Sequence, residues 1–183
     1  MRSIRNVTTA AMAPALLVAA LTSCSNDETK AAPEIPERIC WGAFAGKDVT
    51  PLLSAGGDAV LRTDPVFALP KDRDKVSCSL NIDGNPKFSA SADLWESEKY
   101  IDWATYEEKG TDPLDVGKKG RIWPSGSATY FECEAPKSSS GPGRYIALSL
   151  FVYDSPDQQE VRRTLPKLLK QFMTFAQKEL DCQ

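Results

Sequence analysis

The most unusual chemistry in this chain lies between Asp93 and Asp112, where aromatic rings alternate with carboxylates. Trp95, Tyr100, Trp103 and Tyr106 stand among Asp93, Glu96, Glu98, Asp102, Glu107 and Glu108. Rings beside carboxylates suit a sugar or a cationic ligand: the ring stacks or offers its π-face while the carboxylate accepts hydrogen bonds. Two carboxylates at a suitable separation also serve glycoside hydrolysis. The plainer reading is a crossover helix around residues 97–108 whose aromatics pack on a sheet edge. The chain has no histidine. Ser-His and Cys-His nucleophile pairs, histidine general bases and most catalytic zinc sites are therefore absent. Ser-x-x-Lys, the G-x-x-x-x-G-K-[ST] phosphate loop and G-x-G-x-x-G do not occur either. The sequence supports a binding surface better than an enzyme, and it implies no cofactor.

Five cysteines carry the remaining chemistry: Cys24, Cys40, Cys78, Cys133 and Cys182. There is no C-x-x-C spacing and no histidine to complete a metal site, so no metal is expected. Setting Cys24 aside leaves an even number, which in an exported domain implies two disulfides with three possible pairings. Cys40–Cys78 with Cys133–Cys182 is the favoured pairing, because it ties each chain end to an interior strand.

The elements that must position these groups begin after a leader. Arg2 and Arg5 open it, an apolar stretch runs from Val7 to Leu21, and small residues lead into Cys24. This is the layout of a secretory signal, too short for a comfortable membrane span of roughly 20 apolar residues. Leu21-Thr22-Ser23-Cys24 resembles a lipobox. The resemblance implies cleavage after Ser23 and a diacylglycerol thioether on Cys24; two acyl chains suffice for stable anchoring. Residues 24–37 then read as a flexible polar tether reaching about 40 Å when extended.

Residues 38–183 have the length of one ordinary domain. Without Arg2 and Arg5 the chain keeps 20 basic residues against 25 acidic ones, a net of −5. That balance argues against nucleic acid as a partner, and against a polybasic hold on anionic lipid.

Asp48 is placed to cap a short helix from Val49 to Ser54, with Pro51 in its first turn and Gly56-Gly57 as its stop. Residues 58–72, interrupted by Pro65 and Pro70, are ambiguous. Lys75–Ile82 alternates Val76, Cys78, Leu80 and Ile82 with polar residues, as a half-buried strand does. Asp83-Gly84 turns it back into Phe88–Leu94. A second hairpin pairs 128–135, with Phe131 and Cys133 inward and Tyr130, Glu132 and Glu134 outward, against 144–153. There Ile146, Leu148, Leu150 and Val152 share a face. Trp123-Pro124-Ser125-Gly126 reads as a turn, and 136–143 as a Ser, Gly and Pro loop. Trp41 is expected to cover a disulfide. The C-terminal helix starts at Ser155 and Pro156 and buries Val161, Leu165, Leu168, Leu169, Phe172, Met173, Ala176 and Leu180. Pro166 predicts a kink or a fresh start at Thr164.

The expected architecture is α+β: an antiparallel sheet of four to six strands, covered on one face by the C-terminal helix, with a short N-terminal helix. With its lipobox and polar linker, the chain is similar to the small exported lipoproteins of actinobacteria. The resemblance implies a Gram-positive envelope and a domain facing the wall space. It brings no catalytic residues. The expected function is a membrane-anchored, non-catalytic module binding a protein or envelope ligand; the alternative is a small-molecule or glycan receptor using the Trp95–Tyr106 segment.

Overall fold

A computed structural model describes residues 33–70, 73–101, 111–135 and 143–182. The strands are β1 (Arg38–Ile39), β2 (Phe44–Ala45), β3 (Ala59–Thr63), β4 (Lys75–Ile82), β5 (Asn85–Trp95), β6 (Asp112–Leu114), β7 (Lys118–Trp123), β8 (Gly126–Glu134) and β9 (Arg144–Val152). Helix α1 (Gly46–Val49) runs into a 3-10 turn at Thr50–Leu52, and α2 (Gln158–Glu179) closes the chain. β1 and β2 form a two-stranded ribbon. The other seven strands form one antiparallel sheet in the order β3-β4-β5-β9-β8-β7-β6. The α+β class holds, but the sheet exceeds the expected four to six strands. β3 comes from the ambiguous 58–72 segment. β6 and β7 have too few alternating apolar residues to stand out in the sequence.

Two hairpins supply the centre. Asp83 and Gly84 both take positive φ (50° and 79°), the mirror-image turn that matches strand twist. β5 and β9 then pair along eight residues from Phe88–Val152 to Trp95–Tyr145. One face of these strands carries Val76, Leu80, Phe88, Ile146, Leu148 and Leu150, each at most 1% exposed. Helix α2 lies across this face and buries Val161, Leu165, Leu168, Leu169, Phe172 and Ala176 against it. Phe44, Phe88 and Phe172 meet at ring-centroid distances of 5.4 and 5.5 Å. The core of the described residues is drawn from Ile35 to Cys182.

Several local expectations change. α1 begins at Gly46, two residues before Asp48, and Ala45 occupies its cap without a side-chain bond. The turn ends at Leu53, so neither Ser54 nor the glycines terminate it. α2 is capped by Asp157, whose carboxylate accepts from the amides of Gln159 and Glu160, instead of by Ser155. Its helix runs unbroken through Pro166. The proline removes only the hydrogen bond to the Arg162 carbonyl, and Arg162 is on the exposed side where water can replace it.

Both disulfides follow the favoured pairing. Cys40–Cys78 joins the β1–β2 turn to β4, and Cys133–Cys182 joins β8 to the end of α2. At that turn Cys40, Trp41 and Gly42 all take positive φ. Cysteine and tryptophan resist this backbone by about 1–2 kcal/mol each. The disulfide offsets that strain, as do the Trp41 ring stacked on Phe172 and its indole N–H donated to the Asp64 carbonyl at 2.8 Å.

Candidate functional site

The sheet face opposite α2 is the candidate binding surface. Side chains alternate along a strand, so each core residue of β4, β5 and β9 has a neighbour pointing the other way. On the β4–β5–β9 side these neighbours are mainly serines. Ser77, Ser91 and Ser149 form one cross-strand row, and Ser79 and Ser89 a second that continues into Phe151. The Ser91 and Ser149 hydroxyls lie 2.8 Å apart. Ion pairs border the field: Lys75–Asp93 at 2.9 Å and Lys87–Asp154 at 3.0 Å. Ser149 is buried, but Ser77 is exposed and Ser79, Ser89 and Ser91 are half-buried, so their hydroxyls can bond a partner with either polarity.

Toward β7 and β8 the same face becomes aromatic. Trp123, Ala128, Tyr130, Tyr145 and Ile101 form a second buried cluster, with Trp95, Ala147 and Phe151 half-buried against it. Trp123 lies over Gly126, where a Cβ would meet the indole at 2.5 Å, so the ring needs that glycine. Phe151 meets Trp123 edge-on at 5.6 Å and stacks on Tyr153 at 6.4 Å. Tyr153 is 39% exposed and carries the aromatic strip to the rim of the serine field. Tyr130 was expected outward; it does face away from α2, but this second cluster buries it to 1%.

One carboxylate organises the sheet end. Glu98, in a 3-10 turn at Glu98–Tyr100, accepts a short hydrogen bond from the Tyr130 hydroxyl and lies 3.7 Å from the Lys119 ammonium. The Tyr130 bond, then the charges of Lys119 and Lys118, hold the Glu98 carboxyl below the usual range. Burial, then the Glu98 carboxylate, pushes the Tyr130 phenol up. Lys118 is raised by its 2.9 Å bond to Glu132. A carboxyl held charged in this way is a hydrogen-bond acceptor at neutral pH and a poor proton donor.

Of the aromatics singled out in the sequence, Trp95 stands at the end of β5, opposite Tyr145. Its indole N–H is buried with no acceptor among the described residues. Tyr100 is 58% exposed, with the Lys99 ammonium 4.9 Å from its ring centre. Trp103 and Tyr106 lie outside the described residues, as do Asp102, Glu107, Glu108 and Cys24. Of the expected crossover helix, only residues 97–101 are described, and within them Glu98–Tyr100 form the 3-10 turn. The described aromatics that cluster with Trp95 come from β7, β8 and β9. Their signal was the second set of alternating positions, Tyr145, Ser149, Phe151 and Tyr153, beside the four core residues of β9.

Among the described residues no group of three or more His, Cys, Asp or Glu could hold a metal ion. No described helix is long and apolar enough to cross a membrane. Searched against protein-family models, curated proteins and solved structures, the chain has no match in any of the three.

Proposed function

We propose that this protein is a membrane-anchored extracytoplasmic lipoprotein, held by lipid on Cys24, that acts as a non-catalytic binding module of the cell envelope. The observation that carries the reading is the asymmetry of the sheet. One face is sealed by α2, while the other presents two serine rows beside an aromatic strip. A face with bonding hydroxyls and, among the described residues, no nucleophile–base pair suits docking better than turnover. The export half rests on the leader, the lipobox and the cysteine count. The two bridges use Cys40, Cys78, Cys133 and Cys182, which leaves Cys24 for the lipid. Removing Cys24 (C24A) is expected to leave the leader uncut or to release the protein from membranes.

A second reading, a glycan receptor, draws on one feature. Half-buried Trp95 and exposed Tyr153 lie on the same face as the serine hydroxyls, and the Trp95 indole N–H has no acceptor among the described residues. Rings for stacking beside hydroxyls for bonding are what a sugar surface needs. In-cell photo-crosslinking from position 79 separates the two. A discrete protein adduct supports the first reading, and a glycan adduct supports the second. Adducts no more frequent than from a control probe at exposed Gln158 would show that the serine and aromatic face is not the binding surface.

A further inference from the structure

A second surface lies on the helix side of the domain. The exposed flank of α2 and the β1–β2–α1 segment enclose a groove of about 610 Å3. Its floor is apolar, with Ala43, Ala45 and Phe175, and its rim carries Arg38, Lys167, Lys170 and Lys178 against a single carboxylate, Asp48. Among the described residues none of the three lysines is ion-paired, in contrast to Lys75, Lys87 and Lys118 elsewhere on the domain. The groove therefore gathers four of the 20 basic side chains that remain after the leader, and one of the 25 acidic ones. The net charge of the chain conceals this cluster.

We infer that this groove seats the phosphate headgroups of an anionic phospholipid bilayer and sets how the domain stands on its membrane. Cations around an apolar floor match the polar–apolar boundary of a lipid surface. The position of the chain entry favours a bilayer over a soluble anion. Ile35 and Pro36 pack against Gly46 at the start of α1, and Arg38 follows on the groove rim. Only Ser25–Ala32 separates Cys24 from buried Pro33. A segment that short reaches about 30 Å at full extension, so a lipid on Cys24 keeps the groove side close to the headgroups. The serine and aromatic face lies across the sheet from α2, so it is displayed outward to its partner. The inference rests on the lipid-anchored reading only for bringing the bilayer within reach.

The test uses the chain from Ser25 onward, which holds every core residue among those described but no lipid. Binding is measured by co-sedimentation with phosphatidylcholine vesicles, with and without phosphatidylglycerol. Binding is expected only with phosphatidylglycerol and is expected to weaken as salt rises. Each basic side chain near such a surface is worth about fivefold in partitioning, so K167Q with K170Q is expected to lose about thirtyfold. K75Q with K87Q, on the other face, is expected to leave binding unchanged. Equal binding to neutral vesicles, or indifference to K167Q with K170Q, overturns the inference. So does tighter binding to soluble polyphosphate or an acidic peptide than to vesicles. Cys24 processing is read separately in cells, so failure of the anchor and failure of the groove are distinguishable.

Discussion

Reduction of the two disulfides is expected to remove about 8 kcal/mol of stability. The closing separations are 38 residues for Cys40–Cys78 and 49 for Cys133–Cys182. Restricting the unfolded chain over loops of those lengths contributes about 4 kcal/mol each. The loops do not overlap in sequence, so the two contributions add. A domain of this size has about 7–22 kcal/mol in total, so reduction removes from about a third to all of its stability. The perturbations are C40A with C78A, C133A with C182A, and all four together, in the chain from Ser25 onward. With a urea slope of about 2 kcal/mol per M, each pair is expected to lower the unfolding midpoint by about 2 M. The second pair has a local signature as well. Cys182 pins the end of α2, where Ala176 and Leu180 are buried, so amide exchange there should accelerate while β4 stays protected. Shifts below about 0.5 M for both pairs, with intact exchange protection at the end of α2, would falsify the loop-entropy reasoning.

Three further outcomes follow from the packing and electrostatics. Phe172 is fully buried among Trp41, Phe44 and Phe67, so Phe172→Ala is expected to cost about 3–5 kcal/mol in urea unfolding. Tyr130 keeps its proton in the fold above the pH at which the unfolded chain loses it. Stability should therefore fall above about pH 10 by about 1.4 kcal/mol per pH unit from this group, and Tyr130→Phe should remove that slope in pH-dependent unfolding. Gly117 has φ of +60°, and a Cβ there would lie 2.4 Å from the Thr129 hydroxyl, so Gly117→Ala is expected to lower thermal stability by at least about 2 kcal/mol.

Alternating and helical patterns made the scaffold legible. β4 matches its expected bounds, the face of α2 follows its apolar spacing, and each expected pair of cysteines meets. In each of these the information is local: a period of two or 3.6 residues, or a residue with one chemical use. What stayed hidden depends on partners distant in the chain. β6 is three residues long and is a strand because Asp112–Leu114 meets Gly120–Ile122. Tyr130 looked solvent-facing by alternation, and only Trp123, Tyr145 and Ile101 arriving from other elements bury it. The helix start moved from Ser155 to Asp157 because either residue can cap, and backbone geometry selects between them. The sequence by itself therefore determined the core face, the redox chemistry and the absence of histidine catalysis. Tertiary structure alone decided which aromatics gather beside Trp95 and where the lysines of α2 meet Arg38, because both depend on which distant strands and turns become neighbours.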